Sequence, residues 1–118
     1  MTKNEKNISL KLKIQLGEHS FFGPGKIYLL ETIIKTGSIS SAAKEIGMSY
    51  RKAWKLVNDL NKLSKKKLVI TNTGGKGVGG AKISEYGKLL INLYRRIEKK
   101  AFLGIKKEKE EIEKIIND

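Results

Sequence analysis

Residues 74–82 read GGKGVGGAK, and within them Gly75, Gly77 and Gly80 satisfy the spacing G-x-G-x-x-G. At that spacing a turn without side chains lets backbone amides approach a pyrophosphate. A second group carries charge. Between Ser49 and Lys67 there are seven Lys/Arg and one acid, Asp59. On a helix, Arg51, Lys52, Lys55, Asn58, Asp59 and Lys62 would populate the side opposite Ala53, Trp54, Val57 and Leu60. Cations on such a stripe pair with phosphates or guanine edges, and Asn can bond adenine bidentately. No comparable set exists for catalysis. His19 is the single histidine, there is no cysteine, and Glu31, Glu45 and Asp59 have no evident catalytic partner. No catalytic residue, metal ligand or cofactor is expected.

The chain has 118 residues, enough for one domain with a helical extension. Its formal net charge is +13. Residues 1–103 hold 21 Lys/Arg against 7 Asp/Glu, whereas residues 104–118 hold 4 against 5. The basic part should attract a polyanion, and nucleic acid is the usual one. The plainer alternative is a solvated lysine-rich surface. The polar start MTKNEKN and the lack of a long apolar run point away from a signal peptide or membrane span. The absence of cysteine suits a reducing cytoplasm.

Several elements must position these residues. Residues 1–7 are expected to be disordered. In ISLKLKIQL (8–16), Ile8, Leu10, Leu12, Ile14 and Leu16 alternate with Ser9, Lys11, Lys13 and Gln15, as in a half-buried strand. Residues 17–25 read as a loop. Ile27, Leu30, Ile33 and Ile34 mark an amphipathic helix over 26–36, with Pro24 near its start and Gly37 at its C-terminal cap. Ser40 can cap a short helix carrying Ala42, Ala43 and Ile46, which Gly47 ends. Ser49 can cap a second helix through about Leu63. Two helices joined by a short glycine turn make a helix-turn-helix, with a generic helical hairpin as the alternative. Short strands follow at 68–71 and 81–84. From Ser84, the residues Tyr86, Leu89, Leu90, Leu93, Tyr94, Ile97 and Ala101 recur at helical spacing. Gly104 can bend or interrupt that helix before a charged helical extension over 104–118.

These flanks decide what the glycines do. A dinucleotide turn opens directly into a helix whose N-terminus meets the pyrophosphate. Here a short strand follows instead, and the stretch does not match G-x-x-x-x-G-K-[ST]. A glycine-rich loop between two short strands, after a helix-turn-helix, reads as a wing. Its tip needs positive φ, and bare backbone can lie close to a DNA strand. The expected fold is mainly α with a small antiparallel β component: a winged helix-turn-helix over 8–103 with an extended C-terminal helix.

SISSAAKEIGMSYRKAW (38–54), the glycine-rich stretch GGKGVGGA, and SEYGKLL with its YG at 86–87 resemble the N-terminal DNA-binding domain of the ModE family. These are molybdate-responsive transcription regulators with a LysR-like helix-turn-helix. The likeness covers roughly residues 8–103. Val78 departs from it, since the family's wing commonly has another glycine there. The larger departure is that family members usually continue into molybdate-binding domains, which these 118 residues do not contain. The resemblance implies double-stranded DNA as partner and a homodimer on a palindromic operator. It leaves open whether a separate effector-sensing protein is a further partner.

On this reading the helix from Tyr50 enters the major groove. Ser38, Ser40, Ser49, Tyr50, Arg51, Lys52 and Lys55 are the expected contacts of the helix-turn-helix. Lys65, Lys66 and Lys67, together with Gly75, Lys76, Gly77 and Lys82 of the wing, would meet phosphates. The competing reading is a sequence-indifferent architectural DNA binder.

Overall fold

The computed structural model describes residues 5–18, 20–72 and 79–118. The chain runs β1 (Ile14–Leu16), β2 (Ser20–Phe22), α1 (Pro24–Thr36), α2 (Ile39–Ile46), α3 (Tyr50–Lys62), β3 (Val69–Asn72), β4 (Gly80–Ile83), α4 (Glu85–Gly104) and α5 (Lys106–Asn117). This is a mainly helical winged fold with two small antiparallel sheets, β1–β2 and β3–β4.

Local sequence accounts for the element ends. Pro24 occupies the first turn of α1, where its fixed φ suits a helix and its missing N–H has no intrahelical partner to lose. Gly37 and Gly47 close α1 and α2 at φ 82° and 86°, a region that disfavours side chains. Each of the next three helices has a serine cap. Ser38 accepts from the Ser41 amide, Ser49 from Lys52 and Ser84 from Gly87. The cap of α2 is therefore Ser38 rather than Ser40. Three serines stand together at 38, 40 and 41, and the buried Ile39 belongs inside the helix.

The core forms around α1. Ile27, Leu29, Leu30 and Ile33 are buried with Ala42 and Ala43 of α2, Ala53, Val57 and Leu60 of α3, Val69 of β3 and Tyr94 of α4. Burying each Ile or Leu side chain contributes about 1.5–3 kcal/mol. The three alanines let α2 and α3 approach closely. Tyr94 stacks edge-on against Phe22 at 6.0 Å and donates its hydroxyl proton to the Leu12 carbonyl at 2.6 Å. Burial raises the phenol pKa above its ordinary value, with Glu98 adding to the rise and Arg95 opposing it.

The N-terminal segment differs from the expected strand in two respects, the first being that Leu16, expected on the inner face, is 43% exposed. Ile8, Leu10, Leu12 and Ile14 do alternate inward with exposed Ser9, Lys11, Lys13 and Gln15. Ladder pairing, however, is confined to Ile14–Leu16, whose partner Ser20–Phe22 lies in the stretch read as a loop. A three-residue strand gives too short a pattern for alternation to reveal. Upstream, the Ile8 amide donates to Glu113 at 2.9 Å, and Lys6 and Asn117 exchange two hydrogen bonds. Helix α4 ends at Gly104, and Ile105 (φ −103°, ψ 12°) separates it from α5.

Candidate nucleic-acid interface

The wing strands pair with Val69 opposite Ile83, Ile70 opposite Lys82, Thr71 opposite Ala81 and Asn72 opposite Gly80. Both lie one residue from the expected ranges. Three residues, Ala81, Ser84 and Asn61, fix this hairpin against the helices. The Ala81 amide donates to the Gly37 carbonyl at 2.8 Å, which ties β4 to the corner between α1 and α2. Ser84 donates its hydroxyl proton to the Lys67 carbonyl at 2.7 Å while its amide donates to Leu68 at 2.9 Å. Asn61, in the last turn of α3, accepts from the Leu68 and Val69 amides, each at 2.9 Å, and donates to the Val69 carbonyl at 3.0 Å. Asn61 escaped the sequence reading, because an amide near a helix end gives no sign of which backbone it will meet.

Gly87 has a separate steric role. A Cβ there would stand 2.6 Å from the Leu68 carbonyl oxygen and 2.6 Å from Ile83 Cγ2. The first turn of α4 thus rests directly on the backbone that leads into the wing, which explains a glycine after Tyr86.

On α3, Tyr50, Arg51, Lys52 and Lys55 are exposed, and Ser49, Arg51, Lys52, Lys55, Trp54 and Asn58 line one open depression. Lys55 pairs with Asp59 at 3.4 Å across one helical turn. The indole N–H of the half-buried Trp54 donates to the Tyr50 hydroxyl at 2.5 Å. Ser49 spends an acceptor site on its cap, so its hydroxyl proton is available to an incoming acceptor. Ser38 caps α2 from a half-buried position, and Ser40 is exposed on the first turn of that helix.

The other expected phosphate contacts are distributed differently. Lys65, Lys66 and Lys67 are exposed in the turn beyond the far end of α3, and Lys66 donates to the Tyr86 hydroxyl at 2.6 Å over the same ring. Lys82 is exposed on β4. Gly75, Lys76 and Gly77 lie outside the described residues, as does His19. Among the described residues no group of His, Cys, Asp and Glu could hold a metal ion, and no helix is long and apolar enough to cross a membrane.

Comparison with known proteins identifies relatives of this chain. The transcriptional regulator ModE of Yersinia pestis is 48% identical over 102 residues, covering 84% of this chain and 38% of that protein. The chain is homologous to the ModE transcriptional regulators. The DNA-binding transcriptional dual regulator ModE of Escherichia coli K12 is 47% identical over 98 residues, covering 80% of this chain and 37% of that protein. ModE of Haemophilus influenzae is 38% identical over 94 residues. The chain thus spans less than two-fifths of the length of the ModE relatives it matches. No protein-family model matches it.

Proposed function

We propose that this chain is the DNA-binding module of a ModE-type transcription regulator. Its α3 would read base edges in the major groove while the glycine-rich hairpin holds the neighbouring phosphates. The observation that carries this reading is the outward presentation of Arg51, Lys52 and Lys55 on one face of a helix whose opposite face is core. Homology to regulators, one of them named as DNA-binding, supports it.

The N-terminal turn of α3 lies deepest in such a complex. Arg51 reads guanine, since its planar fork is bidentate and always charged. Ser49 donates its hydroxyl proton, while Lys52 and Lys55 neutralise charge at the groove wall. Lys65 to Lys67, Lys76 and Lys82 supply sequence-independent affinity through counterion release. The chain acts as a homodimer in the cytoplasm. Exposed Tyr86, Leu89, Leu93 and Ile97 give α4 an apolar stripe suited to pairing with a second copy.

Salt titrations test the division of labour. Arg51→Ala should cost about 1–3 kcal/mol on the preferred duplex and relax one base position. Lys76→Ala should weaken all duplexes alike and reduce the salt slope by roughly one. Equal losses for Arg51→Ala on preferred and random DNA would remove it from base reading.

A further inference from the structure

The N-terminal hairpin carries a cationic cluster that the helix-turn-helix reading does not use. The Lys13 ammonium lies 4.0 Å from the centroid of the Phe21 ring, and the Lys26 ammonium lies 4.1 Å from the same centroid. The two charges are therefore no more than about 8 Å apart, inside the screening length of about 10 Å at 0.1 M salt. Lys26 is buried, and its ammonium donates to the Phe21 carbonyl at 2.7 Å. Its pKa lies below the usual lysine value. Burial is the main cause; Asp59 opposes the shift, and Lys55 and Lys13 reinforce it. Lys26, which bonds to the hairpin at Phe21, thus lies within electrostatic reach of α3. Asp59, the acid at this junction, already pairs with Lys55.

Like charges gathered beside one another disfavour the free protein, and a bound anion removes that penalty. Lys13 is exposed, with Lys11 two residues before it on the same solvent side of the extended segment. Two residues of extended chain rise about 6.6 Å, which presents the two ammonium groups as a short row. The Phe21 ring, itself partly exposed, holds Lys13 in place through its π-face. Lys26 is committed to the Phe21 carbonyl, so it raises the local potential rather than reaching outward.

We propose that Lys11 and Lys13 form a further phosphate-binding surface, which extends the DNA footprint from α3 onto the N-terminal hairpin. The surface recognises the sugar-phosphate backbone and carries no base preference. This rests on the DNA-binding reading above and adds to it a separate set of contacts.

The test is a salt titration of the full chain on one selected and one random duplex, with Lys13→Ala, Lys11→Ala, Lys13→Arg and Lys107→Ala beside the wild type. Lys107 is exposed on α5 and controls for loss of one charge. Lys13→Ala and Lys11→Ala should each lower the slope of log K against log salt by about 0.9, equally on both duplexes. Lys13→Arg should retain the wild-type slope, and Lys107→Ala should leave it unchanged. If Lys13→Ala and Lys11→Ala match Lys107→Ala while the wild type binds with a steep salt dependence, the hairpin surface is refuted and the α3 reading stands. A wild type that binds neither duplex overturns both.

Discussion

Trp54 and Tyr50 stand one turn apart on α3, joined by an indole N–H that donates to the phenol oxygen at 2.5 Å. The bond uses the oxygen as an acceptor and leaves the Tyr50 hydroxyl proton directed elsewhere. Tyr50 should therefore meet DNA as a donor, toward phosphate or an acceptor edge. Because the chain has one tryptophan, its indole N–H resonance reports this pair without ambiguity. Tyr50→Phe should shift that resonance and weaken binding by about 0.5–1.5 kcal/mol. An unmoved resonance would show that the pair is not formed in solution.

Asn61 is expected to act on the wing rather than on DNA. Asn61→Ala removes three hydrogen bonds at the junction of α3 and β3. The loss should be about 1–3 kcal/mol of stability, read from denaturant unfolding. Amide exchange at Leu68 and Val69 should accelerate more than exchange in α1.

Gly87→Ala should be more damaging than its position in a helix suggests. In a helix interior alanine is normally the better residue by about 1 kcal/mol. Here the added carbon meets a backbone oxygen and a methyl group at 2.6 Å, neither of which can yield without moving β3 or β4. A net loss of about 1–3 kcal/mol in thermal or denaturant unfolding is expected. A gain in stability would contradict the close approach.

Glu113 should make the docking of the N-terminal segment on α5 acid-sensitive. The Ile8 amide and then Lys109 hold its pKa below the ordinary 4.5. A depressed carboxylate pKa stabilises the folded arrangement above the unfolded value, and the contribution disappears as pH falls through the lower folded value. The Ile8 amide resonance should be constant above pH 4.5 and move as pH falls below it. In Glu113→Gln that titration should vanish.

The sequence made the helix-turn-helix legible because its determinants are local. Gly37 and Gly47 take the left-handed conformation, Ser49 caps α3, and the alanines of α2 and α3 are spaced for close packing. The strands of the wing were legible within one residue because short apolar runs flank the glycines. What escaped depends on contacts between distant segments. The Ser20–Phe22 strand is defined by its partner, and Lys26 looks like an ordinary solvated lysine until Phe21 and Asp59 are placed around it. Asn61 likewise becomes intelligible through the backbone it bonds. The basic stripe of α3 was readable from composition and period, whereas the commitment of Lys66 to Tyr86, 20 residues away, was not.

The most direct test of the central claim is selection of the full chain against randomised duplex DNA, followed by sequencing of the bound pool. A helix reading the major groove from each half of a dimer predicts one enriched motif. It should consist of two inverted half-sites separated by about one helical turn, 10–10.5 base pairs, or a multiple of it. A bound pool with no enriched motif would contradict that account and favour a sequence-indifferent architectural role.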